Sequence, residues 1–303
     1  MISRRDLTLL FVVLLSMAAG IFFPRFGLLF REFPFYCLMT LLFLSFLSIE
    51  METLWAALKN TLPKIVCLSL LKLVLLPLVV YAVFRVLAPS YAVAALLLSG
   101  VSTGVVAPFI ANLVGANGAL VMVVVVVTSL LVPFTLPLLI DMLLHRDVDI
   151  PLPAMIRMLA FVVFLPFLAA ESLRKGAPRI QAGILKARYP ISLGLFALIN
   201  LGIFSQYAGF FHREPATIVT AGIIAILLSA FYCGAGLLCM SKKPLEDRLA
   251  GAITLGNMNN VLIIVFAARF FGPLEPTVAA LYILPFFALV IPLRIYAARW
   301  GNE

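Results

Sequence analysis

GVSTGVVAPFIANLVGAN, residues 100–117, sets glycine, serine, threonine, proline and asparagine inside an otherwise apolar stretch. A second run, ITLGNMNNVLIIVF at 253–266, does the same near the other end of the chain. Lipid tolerates irregular backbone only where it is buried in protein or lines a cavity, because every unsatisfied amide there costs several kcal/mol. Two broken spans at matching places in two halves of a chain are the sequence sign of a transporter binding site.

The rest of the composition fits a membrane setting. The 303 residues are 64% hydrophobic and 12% charged, with a mean hydropathy of +1.17. A water-soluble domain is about half apolar and a quarter charged, so an integral membrane protein is expected. Cys37, Cys67, Cys233 and Cys239 lie in apolar stretches without CxxC spacing and read as small buried hydrophobes. His145 and His212 fall in connections, which argues against a His-ligated metal. The net charge of +9 forms no basic stripe that would suit nucleic acid.

Apolar segments long enough to cross, about 17–25 residues each, have cores at 7–23, 34–49, 65–87, 91–115, 117–140, 153–171, 190–208, 215–240, 247–271 and 276–298. The start, MISRRD followed by LTLLFVVLLSMAAGIFF, resembles a signal peptide with small residues at Ala18, Ala19 and Gly20, and is read as an uncleaved first span. METLWAALKN at 51–60 reads as a short interfacial helix with Leu54 and Trp55 turned inward. Ten crossings place both termini on one side. With that side cytoplasmic, fourteen of the 22 basic residues lie inside, six lie outside, and Lys72 and Arg157 lie within spans. The positive-inside rule therefore predicts cytoplasmic termini. The outer connection HRDVDIPLP at 145–153 divides the chain into 1–145 and 146–303. Five spans per half force the second half to enter inverted, with the broken span fourth in each. The fold expected is all-α, a five-plus-five inverted repeat whose helices 4 and 9 are interrupted near Thr103–Pro108 and Gly256–Asn260 and cross near the midplane.

Each break has a bland counterpart. Around Ser99–Gly104 and Pro108 it is a proline kink packed by small residues, which membrane helices accommodate. Around Asn257, Asn259 and Asn260 it is interhelical hydrogen bonding, worth about 1 kcal/mol per bond. Three asparagines beside Gly256, in register with the other break, favour a site. Pro133, Pro137, Pro166, Pro285 and Pro292 read as kinks or helix ends, and Asn200 and Gln206 as packing residues. Asp141, Asp147 and Asp149 read as a solvated outer cluster. No nucleophile or acid/base pair stands at membrane depth, so an enzyme is the weaker class.

At these breaks the sequence resembles the bile acid:sodium symporter family over nearly its whole length. ANLVGANGAL through LLVPFTLP is similar to the family's fourth-to-fifth helix passage, LLKLVLLPLVV to its third helix, and ITLGNMNN to its ninth. The resemblance implies a panel domain of spans 1, 2, 6 and 7 and a core domain of spans 3–5 and 8–10. It also implies transport of organic anions such as bile acids, pantoate and other carboxylates.

The departures concern the coupling ion. The family takes sodium ligands from a Ser-Asn pair in the fourth helix, where this chain has Ala107 and Pro108, and from fifth-helix hydroxyls, where it has Val121 and Val125. The family's ninth-helix glutamate and following glutamine align with Thr254 and Met258, and its third-helix glutamine with Lys72. Valine, alanine and proline offer no side-chain oxygen to a hard cation. The resemblance thus implies the fold but argues against bound sodium, and no other cofactor is expected. Asn259 keeps the family's asparagine at the crossing, where helix N-termini favour an anion.

The function expected is a sodium-independent secondary transporter, proton-coupled or facilitative, of a small organic anion, a carboxylate, working by alternating access in a bacterial cytoplasmic (inner) membrane. A transport-dead receptor of the same fold is the alternative. Lipid is the other partner, with no nucleic acid. Ser102, Thr103, Gly104, Asn257, Asn259 and Asn260 are the candidate substrate residues. Lys72 stands in for the cation, with Thr254, Asn257 and the carbonyls of 256–260 as its expected partners and proton coupling as its expected use. A lysine at that depth costs roughly 2.5–3.5 kcal/mol to insert, unless it snorkels to the surface.

Overall fold

The computed structural model describes residues 4–49, 51–144 and 151–300. Among them every regular element is a helix. The chain opens with α1 (Arg4–Phe22), which bends by 108° into α2 (Pro24–Gly27) and a 3-10 turn over Leu28–Phe30. α3 (Pro34–Leu47) and α4 (Met51–Leu70) follow, and α4 runs through a π turn at Leu71–Leu75 into α5 (Leu76–Leu87). Next come α6 (Ala92–Gly100), α7 (Ala107–Val114), α8 (Gly118–Leu144), α9 (Leu152–Gly176) and α10 (Pro178–Gln206). The short α11 (Ala208–Arg213) leads to α12 (Pro215–Cys239), α13 (Leu245–Gly256) and α14 (Asn260–Phe270). α15 (Leu274–Leu281), α16 (Ile283–Ala288) and α17 (Val290–Trp300) complete the described chain.

Six of the described segments are long and apolar enough to cross a membrane, or seven if the bent first pair is one span. The other expected crossings fall on the short α3 and on the two broken pairs, α6 with α7 and α13 with α14. Large apolar side chains such as Phe11, Leu29, Val86 and Leu238 are exposed, as suits a surface covered by acyl chains.

Proline explains most of the interruptions. A proline cannot donate to the carbonyl four residues back and clashes with it. Four residues before Pro285 and Pro292 stand Leu281 and Ala288, the last residues of α15 and α16. Pro77 likewise cannot bond Leu73, and the helix there closes an i-to-i−5 bond, Leu76 N–H to the Leu71 carbonyl, within the π turn. Thr61, two residues before Pro63, leaves helical geometry at φ −126° and ψ 19°, which separates the predicted short helix at 51–60 from the span that follows. α8 and α9 continue through Pro133, Pro137 and Pro166, so these three do not end helices.

α1 packs along α10, α3 lies against both α9 and α10, α4 and α13 lie on α8, α5 on α6, and α12 on α13 and α15. α8 is the most enclosed of the six long segments and also touches α9. A Cβ on Gly236 would overlap the Gly251 carbonyl, so α12 and α13 meet backbone to backbone only because both positions are glycine. At the end where α8 and α13 begin, Asp247 is buried and takes Lys64 Nζ at 2.5 Å and Asn117 Nδ2 at 2.9 Å.

Three sequence expectations are corrected here, and a fourth falls outside the described residues. Trp55 is exposed and only Leu54 turns inward, since adjacent residues of a helix face different ways. The seventh apolar segment begins at Pro178 rather than near 190, because a polar first half does not stop a helix that opens on proline. Cys37 and Cys233 are buried, but Cys67 and Cys239 are exposed with their sulfurs 3.5 Å apart. The polar connection ahead of α9 was expected to carry His145, Asp147 and Asp149, which lie outside the described residues.

Candidate functional site

The two breaks meet. α6 ends at Gly100 and α7 starts at Ala107, leaving residues 101–106 non-helical, while α13 ends at Gly256 and α14 starts at Asn260. The first interruption therefore begins earlier than expected, and Pro108 lies in the first turn of α7 rather than in the break. That is where proline fits a helix, since its missing donor has no partner to lose there. Thr103 and Met258 form an antiparallel bridge, in which Gly104 N–H donates to the Asn257 carbonyl at 2.9 Å and Asn259 N–H to the Ser102 carbonyl at 3.0 Å. The backbone polar groups released by one break thus satisfy those released by the other, which is how irregular chain survives away from water. A Cβ on Gly104 would stand 2.7 Å from the Met258 carbonyl oxygen, so this approach needs glycine.

Side chains tighten the crossing. Thr103 Oγ1 donates to the Thr254 carbonyl at 2.8 Å, and Thr103 N–H donates to Thr128 Oγ1 at 3.1 Å. Asn259 Nδ2 reaches Ser102 Oγ at 3.4 Å, while its Oδ1 caps α14 by accepting from Leu262 N–H. Ser102, Thr103, Gly104, Asn257 and Asn259 are all buried, and Asn260 is partly exposed. The first-turn amides of α7 are engaged too, Ala107 with the Gly104 carbonyl and Phe109 with that of Val106. The expectation of free amides facing a ligand is thus not met in this arrangement. Among the described residues, the Asn257 side chain finds no partner for either amide atom, nor does Asn260 Oδ1. A buried amide left unpaired costs roughly 1–3 kcal/mol, so a polar partner such as water or a ligand is called for there.

Lys72 lies in the π turn and is fully buried, so it does not snorkel. Its Nζ donates to the Leu255 carbonyl at 3.1 Å, touches Met258 Sδ, and stands 5.8 Å from the centre of the Tyr232 ring. The ammonium's three donors thus face a carbonyl, a thioether and an aromatic face. The expected side-chain partners Thr254 and Asn257 are not among them, since Thr254 Oγ1 bonds the Gly251 carbonyl. Among the described residues no carboxylate pairs with Lys72. Ala107, Val121 and Val125 are buried, and Tyr282 donates to the Gly256 carbonyl at 2.6 Å. Thr128, Tyr232 and Tyr282 were missed in the sequence. Their signal was a polar tip inside an apolar span, which when buried seeks a partner.

Residues 35–213 match the model of the Sodium Bile acid symporter family, more than half of the chain and including the first break, Lys72 and α8. The chain belongs to the sodium bile acid symporter family. Membership makes it an integral membrane protein of a transporter family, in keeping with its long apolar helices. The second break lies beyond the matched residues and enters through its backbone pairing with the first. Among curated proteins no sequence matches the chain.

Proposed function

We propose that this member of the family is a secondary transporter of a small organic anion, works by alternating access, and needs no sodium. In this reading the chain crosses the membrane ten times, as inverted halves 1–145 and 146–303 with both termini in the cytoplasm. The α1, α3, α9 and α10 group is the panel, and the helices around the crossing are the core, a division supported by the packing described above. Ser102, Thr103, Gly104, Asn257, Asn259 and Asn260 receive the anion when the mated breaks part, and the unpartnered Asn257 amide is the group best placed to take it. The membrane is a bacterial inner membrane.

The observation that carries the ion reading is Lys72, a basic side chain buried against the Leu255 carbonyl at the foot of the second break, whose protonated form would take the place of a bound cation. A bound sodium ion beside it would meet like-charge repulsion in a poorly screened setting. Buried Ala107, Val121 and Val125 offer no side-chain oxygen to offset that. The test is uptake of labelled carboxylates into proteoliposomes under matched sodium and potassium gradients, with Lys72→Gln beside wild type. Equal uptake in both salts is expected, with altered pH dependence in the variant if protons are coupled. Faster uptake on a sodium gradient refutes sodium independence. Absence of flux for every carboxylate in a broad panel refutes the transporter reading.

A further inference from the structure

A cavity of about 640 Å³ lies at the end of the molecule where α3 and α9 begin and α10 and α14 finish, opposite the Lys64–Asp247 tie. Ligand pockets fall at roughly 300–1,000 Å³. Much of the wall is apolar, with Phe35, Phe161, Ile203 and Phe270 among its residues. Into it come three guanidinium groups, Arg31, Arg157 and Arg269, against one carboxylate, Glu32. Arg31 is already paired, its Nε donating to Glu32 at 3.1 Å. Arg157 on α9 and Arg269 on α14 have no hydrogen bond or ion pair among the described residues. Two unpaired cations therefore share one concave wall, supplied by two different helices.

We propose that this cavity binds a soluble organic dianion, with Arg157 and Arg269 each taking one carboxylate and the aromatic wall holding the carbon chain between them. A guanidinium fork matches a carboxylate with two parallel bonds. A cleft lined by charges of one sign concentrates their field on one place. A monoanion neutralises only one arginine, whereas a dianion satisfies both. Water-soluble cargo suits the mouth, where Arg31 and Glu32 have side chains 63% and 79% exposed and present a charged rim rather than an apolar one. One helix links the cavity with the crossing, since α14 carries Val265 and Arg269 in the cavity wall and Asn260 in its own first turn. The proposal names the substrate class of the transporter reading and rests on it for the role of the ligand as cargo. The binding step stands without it.

The experiment is calorimetric and thermal-shift titration of the purified full chain in uncharged detergent, with succinate, with butyrate as the monoanion of equal chain length, and with phosphatidylglycerol. Succinate is expected to bind saturably and about tenfold or more tightly than butyrate. Arg157→Gln and Arg269→Gln should each lower succinate affinity by about tenfold and remove the preference over butyrate. Arg213→Gln, at the same end but outside the cavity, should leave both unchanged. Arg157 and Arg269 are exposed, so their variants should keep the wild-type melting temperature without ligand. Equal affinity for succinate and butyrate overturns the proposal, as does succinate binding indifferent to both arginines. Stabilisation by phosphatidylglycerol alone, lost in the arginine variants, overturns it too by making the cavity a headgroup seat. Arginine-dependent succinate binding with no flux in proteoliposomes leaves the site standing and rejects only the transporter reading.

Discussion

Gly104→Ala tests whether the two breaks are held in contact as described. The added Cβ would stand 2.7 Å from the Met258 carbonyl oxygen and 3.2 Å from its carbon, both atoms of main chain that cannot swing aside. An unstrained carbon-to-oxygen contact is about 3.3–3.6 Å, so the two segments must separate by roughly 0.6 Å or more. The bonds that join them, now 2.9 Å and 3.0 Å, then pass out of hydrogen-bonding range. Losing both costs about 1 kcal/mol each, and the residual overpacking costs about 1–3 kcal/mol. The sum is roughly 3–5 kcal/mol, or a melting temperature lower by about 6–10 °C at about 2 °C per kcal/mol for a large domain. Heating the detergent-solubilised protein and measuring the surviving monodisperse fraction by size exclusion reads that shift. Gly183→Ala is the control, since its Cβ meets nothing within 4 Å on α10. If Gly104→Ala melts within about 1 °C of Gly183→Ala, the backbone contact between the breaks is not there and the reasoning fails.

Three further outcomes are expected. Lys72→Met should be at least as stable as wild type, because it keeps the shape and removes a buried ammonium, whereas Lys72→Ala should lose about 2–5 kcal/mol to a cavity; equal losses in thermal melts would make the ammonium itself structural. Oxidation with copper–phenanthroline should join Cys67 to Cys239, whose sulfurs lie 3.5 Å apart, as a linked peptide pair seen by mass spectrometry, and no such pair would mean that the ends of α4 and α12 lie apart. Asp247→Ala should cost about 3 kcal/mol by stranding Lys64 and Asn117, with Lys64→Ala in the same chain recovering part of it, and strictly additive melts would deny the coupling.

The long helices and the breaks were legible because each is written in consecutive residues. Hydropathy marks the spans, and glycine and asparagine in GVSTG and GNMNN mark the places where helix hydrogen bonding stops. Lys72 was legible for the same reason, as one charge in an apolar run. Its partners were not, because the Leu255 carbonyl looks like any other carbonyl until the π turn aims the side chain at it. The 108° turn into a further helical segment after α1 was also hidden, since the first apolar core ends at Phe23 and PRFGLLF reads as a connection. The arginine-lined cavity is built from the ends of four helices. No window along the chain holds Arg157 and Arg269 together; alone, Arg157 reads as a charge within the sixth span and Arg269 as one on the outer side.

The pairing at the crossing also bears on how the chain is made. Asn259 lies 157 residues after Ser102, so the first break emerges from the ribosome long before its partner exists. During that interval Gly104 N–H, the Ser102 carbonyl and the Thr103 hydroxyl lack the partners they have in the finished chain, and in hydrocarbon each unpaired backbone group would cost several kcal/mol. The first half must therefore wait in a sheltered place, beside water or an insertion factor, until α13 and α14 arrive. Final closure of the crossing belongs to the end of synthesis, and a chain stopped before residue 257 would leave that shelter with an open wound at its centre.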